Sequence, residues 1–454
     1  MRGRTGWAAI ATMAALVTAG SAEAKVYEVT RTNDPPPNAC KKRDCSLREA
    51  VLAANVRAGE DTILLPSRKR PYKLTRAGAG EDVGETGDLD INNDPLAIVH
   101  RGKGRATIDG RELDRVLHVQ AGAPTGLIKI VIRNGATPSD GGGILSDASL
   151  LLRRSVVTGN AGDDGGGIDL DADADLTMQR SVVRRNTGDG GGGVNTAGAG
   201  TLVKIVRSTF AGNKASDDGG GLEIAGGETI RLVKSTFANN SSATLGGGIA
   251  AVGAGTLTIN SSTISGNQAV GAFSEGGGLF IEGPTAKLTN STIAHNRSQA
   301  TGGGIQTSDN ATQLSLNAVT VARNKADLPG IGGAMGGGLH NEDSLSFEVR
   351  NSVIALNFSG KLRNDCEGNL FQSLGNNLLS TAFECDGFNM PGDLVRDNPK
   401  LAKLKRNGGP TKTMALRKGS PAIAKAHTPS APKRDQRGRK RDRKPDIGAY
   451  ERGA

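Results

Sequence analysis

The chain has 454 residues, with 66 glycines, 3% aromatic residues and a formal net charge of +10. A single Trp and three Tyr leave little material for the aromatic platforms on which sugars usually stack. The charge is local: residues 400–454 hold 17 Lys or Arg against 4 Asp or Glu, a net +13, so everything before them sums to −3.

Residues 1–24 read as a secretory signal, with Arg2 and Arg4, an apolar run from Trp7 to Val17, and Ala22-Glu-Ala24 at the cleavage position. The run is too short for a bilayer, which needs about 20 apolar residues. No later stretch is apolar enough to cross one, so an exported protein, extracellular or at the cell surface, is expected. Nucleic acid is not an expected partner in that setting. Cys40, Cys45, Cys366 and Cys385 can pair in three ways, and the local pairs, Cys40 with Cys45 and Cys366 with Cys385, are expected.

Residues 25–60 form an N-terminal cap. Ser46 and Glu49 make a capping box, and Leu47, Val51 and Ala54 line one face of a helix running to Asn55. Such a helix covers the open end of a stack of strands. The run Cys45-Ser-Leu-Arg-Glu-Ala50 resembles the domain named after the CSLREA motif, found at the start of secreted bacterial β-helix proteins.

Residues 61–133 are strand-like but irregular, with early coils at Thr62–Pro66, Leu89–Ile91 and Ala106–Gly110. Residues 134–360 repeat one template: a glycine triplet, an aliphatic residue, a gap, alternating apolar residues, Ser and a closing Asn. The unit averages about 27 residues. Alternation with period two signals strands, and glycine triplets exclude a helix interior. A right-handed parallel β-helix follows, an all-β solenoid with like residues about 4.8 Å apart. The closing asparagines, Asn160, Asn186, Asn213, Asn240, Asn267, Asn296, Asn324 and Asn357, then form an amide ladder, with Asn134 ending a degenerate first copy. Phe210 and Phe237, at one position in adjacent units, should stack. Phe210-Ala-Gly-Asn213 and Phe237-Ala-Asn-Asn240 resemble the repeats of chlamydial polymorphic outer membrane proteins.

Residues 361–399 read as a disulfide loop with late coils, including Asn376–Leu379. Residues 400–454 are similar to the bacterial choice-of-anchor Q region, through Asn407-Gly-Gly-Pro-Thr411 and Asp446-Ile-Gly-Ala-Tyr-Glu451. This basic stretch is expected to be a solvated terminal segment, with anionic envelope polymer as the partner its charge suits.

Two charged columns emerge on aligning the repeats. Asp140, Asp164, Asp189 and Asp218 stand by the triplets, with Asp163 and Asp217 adjacent. Arg154, Arg180, Arg207 and Lys234 precede the Ser column, giving way to Ser261 and Asn290. Stacked carboxylates repel, and Ca²⁺ at Asp140, Asp164, Asp189 and Asp218 is one relief; splaying into water is the other. No other cofactor is expected. A lyase or hydrolase acting on acidic polysaccharide would draw on Asp163, Asp164, Asp217 and Asp218, with Arg180 or Arg207 as the basic group. Pectate-lyase-like enzymes share this fold, but fold alone assigns no activity. The five histidines do not recur in the template. The preferred expectation is a monomeric, non-catalytic rod that binds extracellular or envelope polysaccharide or a surface protein.

Overall fold

A computed structural model describes residues 24–92, 94–171, 173–253, 255–308, 312–327, 335–368 and 371–453. The expected signal, residues 1–24, lies outside these except for Ala24. The chain divides into two compact units, Met1–Val203 and Lys204–Ala454. Each is a right-handed parallel β-helix whose coils present three long faces.

In the first unit, one coil runs through Ile144–Ser146 on the third face, Leu150–Arg153 on the first face and Val156–Thr158 on the second. Each strand pairs in parallel with its counterpart one coil on: Leu150 with Leu176, Val156 with Val182, Ile144 with Ile168. The inward residues Leu150, Leu152, Val157 and Ile144 are fully buried. Between the first two faces the chain turns at Arg154 and Arg180, with φ of 54° and 52°. That left-handed conformation costs a side-chain-bearing residue roughly 1–2 kcal/mol. The Ser that follows offsets it, since Ser155 N–H donates to Ser181 Oγ of the next coil (3.1 Å).

The triplet residues have separate steric duties. Gly165 sits at φ 57°, a Cβ on Gly166 would run into the carbonyl oxygen of Thr187, and one on Gly167 would meet the Asn186 amide. The turn therefore closes against the neighbouring coil only when no side chain intervenes. Asn160 donates through Nδ2 to Asn186 Oδ1 at 3.0 Å, and its N–H reaches the same oxygen at 3.1 Å. Asn134 stands outside this file. It occupies the left-handed position (φ 53°) just before it and donates to Asp109, while Gly135 N–H takes Asn160 Oδ1. The closing position of that early coil is thus Gly135, one residue on.

The N-terminal helix is Leu47–Asn55, with both halves of the Ser46–Glu49 capping box formed. It buries Leu47, Val51 and Ala54. Tyr27 Oη donates to Ala53 O, and Asn55 Nδ2 to Asp90 O, which ties the helix to the first coils. Cys40 is bonded to Cys45.

In the second unit the amide file runs Asn213, Asn240, Asn267, Asn296, Asn324 and Asn357, each Nδ2 donating to the next Oδ1 at 2.9–3.1 Å. It ends at Asp365, whose Oδ1 accepts from Asn357 and whose Oδ2 accepts from Ser380 and Thr381. Phe210 and Phe237 stack at 4.5 Å with planes 10° apart. Cys366 is bonded to Cys385.

The end of the chain departs from the expected solvated segment. It folds onto the second face of the second unit, where Leu401, Met414, Leu416, Ala422 and Ile447 pack against Ala294, Ala322, Val353, Ala355 and Leu378. Gln436, fully buried, donates to Ser262 O and Thr263 Oγ1 and accepts from Thr292 Oγ1. Outward threonines that are half-exposed at Thr209 and Thr236 are buried at Thr263, Thr292 and Thr320, under this cover. The switch at the corner column has the same cause: Asn290 donates to Arg434 O and accepts from Arg441, and Asn351 accepts from His427 N–H.

Candidate functional site

The acidic residues beside the triplets bond backbone. In the first unit Asp140 Oδ1 accepts Asp164 N–H (3.2 Å), and Asp164 Oδ1 accepts Gly190 N–H (2.9 Å). In the second unit Asp218 Oδ1 accepts Leu245 N–H (2.7 Å), and Asp217 accepts the Thr244 hydroxyl (2.7 Å). Asp140, Asp164 and Asp218 thus each satisfy a backbone amide of the following coil, and Asp217 a hydroxyl. Asp163 and Asp189 are exposed. The Asp164 carboxyl is pushed above its usual range, first by burial and then by Asp140, Asp163 and Asp189, while the Gly190 hydrogen bond opposes the rise.

Arg180 and Arg207 are exposed at the corner between the first and second faces, whereas the aspartates lie in the turn before the third face. The coil geometry therefore places the basic and acidic candidates at different corners.

A cluster that the template did not flag lies on the third face of the first unit. The outward residue of successive strands is Asp90, His118, Leu145, Asp169 and Asn195, each paired with the next. His118 Nδ1 is 3.2 Å from Asp90 Oδ1 and 3.9 Å from Asp82 Oδ1, and its Nε2 is 3.1 Å from Asp147 Oδ2. Burial opposes protonation, but the carboxylates of Asp147 and Asp90 outweigh it and push His118 up to about 9. Asp88, buried and beside Asp90 and Asp114, rises to about 8. Two coils on, burial raises Asp169 to about 7, although it accepts from Asn195 Nδ2 at 2.9 Å. Among the described residues, Asp82, Asp90 and His118 are the one set of three whose ligand atoms lie within 4.8 Å of one another; Asp140, Asp164, Asp189 and Asp218 form no such set.

Position marks this column in the sequence, as the residue after the first aliphatic of each third-face strand: Leu89-Asp90, Leu117-His118, Ile168-Asp169 and Val194-Asn195. Asp90 and His118 fall in coils that lack a triplet, so only the strand register aligns them.

In the second unit the same face carries Gln306 and His340, with His340 Nδ1 2.7 Å from Gln306 Oε1. Burial without a carboxylate partner lowers His340 to about 4, the reverse of His118.

The folded C-terminal segment sorts its charges. Arg437 pairs with Asp435 at 2.7 Å and lies over the Tyr450 ring, and Arg441 pairs with Glu451 at 2.9 Å, all buried except half-buried Tyr450. The other 15 of its 17 basic residues are exposed, and Asp442 is the single exposed acid among the described residues there. Burying the acids within the segment leaves its outer surface strongly positive.

Residues 166–354 match the family described as right handed beta helix region. The crystal structure of pectate lyase Pel9A is similar to the chain at 16% identity, over 95% of this chain and 97% of that one, with a TM-score of 0.45. Among curated proteins no match is found. No helix among the described residues is long and apolar enough to cross a membrane.

Proposed function

We propose that the chain is an exported, non-catalytic β-helix protein that holds anionic extracellular or envelope polysaccharide against its C-terminal segment. The observation that carries this reading is the sorting of charge there, with 15 cations facing outward and three of the four acids buried, two of them in ion pairs. A folded cover presents those cations at fixed positions, so less chain ordering opposes polymer binding than in a floppy tail. The use of Asp140, Asp164 and Asp218 as acceptors for backbone amides supports the non-catalytic half. Two local disulfides accord with an oxidising location.

Equilibrium binding of polygalacturonate by the full mature chain tests the reading. Saturable binding is expected, weakening about tenfold or more between 50 and 300 mM salt, as exposed charges are screened. Lys440→Gln, Arg443→Gln and Lys444→Gln together should weaken it at low salt. Absence of binding, or binding indifferent to salt, contradicts it. Release of unsaturated or reducing ends would instead favour a lyase or hydrolase.

A further inference from the structure

The third-face cluster of the first unit has the makings of a cation site. Asp90 is wholly buried; its Oδ1 faces His118 Nδ1 and accepts from Gln120 Nε2 at 3.4 Å, while its Oδ2 accepts no hydrogen bond. A carboxylate oxygen kept from water with nothing to satisfy it is costly, and a cation is the strongest available remedy. The loop that carries Asp82 is fixed from behind, since Arg48 donates to the carbonyls of Gly84, Thr86, Gly87 and Asp88. Asp82 O further accepts from Gln120 Nε2 at 2.9 Å.

We propose that Asp82, Asp90 and His118 bind one divalent transition-metal ion of the zinc class, with Asp147 orienting the imidazole. Tetrahedral Zn²⁺ with bonds of about 2.0–2.1 Å sets neighbouring ligand atoms about 3.3 Å apart. The separations of 3.2 and 3.9 Å from His118 Nδ1 to the two carboxylates need only a small closure to reach that. An imidazole beside two carboxylates selects this class over Ca²⁺, which prefers an all-oxygen shell. The metal replaces the Nδ1 proton, while Nε2–H keeps its bond to Asp147, the carboxylate–histidine–metal arrangement that fixes the tautomer. The Asp82 side chain is 79% exposed, so a fourth position opens to solvent and takes water or a ligand carboxylate. Cation binding here and polymer binding by the C-terminal segment are separate properties and can fail independently.

Calorimetric titration of Zn²⁺ into the chelator-treated full chain tests this, together with visible absorption after Co²⁺ loading. One ion per chain and a tetrahedral Co²⁺ spectrum are expected. Asp82→Asn, at an exposed side chain, leaves the fold intact and should weaken binding at least tenfold; Asp147→Asn should weaken it about 10–100-fold through the imidazole. His118→Ala should abolish the Co²⁺ spectrum. Sub-stoichiometric uptake, or Zn²⁺ affinity unchanged in both Asp82→Asn and His118→Ala, overturns the assignment.

Discussion

Asp34 grips the guanidinium of Arg48 with both carboxylate oxygens, at 2.9 and 3.1 Å, and neither side chain is more than 3% exposed. The remaining Arg48 donors go to four carbonyls of the 84–88 loop, so one buried cation organises the segment between the helix and the first third-face strand. Within the Cys45–Ala50 run, Ser46 and Glu49 start the helix and Arg48 attaches it to the loop.

Removing one member of a buried pair strands the other, at a typical cost of 3–5 kcal/mol. Arg48→Met should therefore destabilise the first unit by about that amount and open the 78–88 loop to protease. Urea denaturation and limited proteolysis measure the two effects. A loss below about 1 kcal/mol with an intact loop would show that Asp34 finds another partner.

Asn267 accepts from Asn240 and donates to Phe237 O and Asn296 Oδ1, all in the interior. Asn267→Ala leaves several buried groups unpaired, for an expected loss of about 2–4 kcal/mol in urea denaturation. Gly166→Ala should be at least as damaging, because its new methyl collides with backbone of the next coil. Stability within about 0.5 kcal/mol of wild type for either variant would contradict the stacking described.

Asp169 gives a pH dependence of defined sign. Its folded-state value is about 7, and its unfolded value near 3.9, so between those pH values the unfolded chain has lost a proton that the folded chain keeps. Its contribution is fully present at low pH and is lost as pH rises through that window, by up to roughly 4 kcal/mol. Asp169→Asn, which retains an acceptor for Asn195, should match wild type near pH 4 and exceed it near pH 8 in thermal melts. Equal melting shifts at both pH values would show that Asp169 ionises normally in the folded chain.

The solenoid was legible because its template encodes contacts between coils. Glycine is demanded separately at Gly165, Gly166 and Gly167, and Asn160 and Asn186 must pair, so the pattern survives variation elsewhere. Asn134 misled by one residue because Asn also tolerates the left-handed turn that precedes the ladder. His118 and Asp90 were hidden because the strands that align them carry no triplet. The folded C-terminal cover was equally obscure: its burial depends on outward Thr263, Thr292 and Thr320 meeting Lys412 O, Gln436 and Ala449, a match no periodicity reports.

Polymer binding by the C-terminal cover is most directly tested by lysine footprinting, in which acetylation rates are compared with and without polygalacturonate. Lys433, Lys440 and Lys444 are exposed on that segment, while Lys287 is exposed on the first face of the same unit and serves as an internal control. Protection of the three C-terminal lysines with Lys287 unchanged is the predicted result. Bound polymer that leaves all three as reactive as before would contradict it.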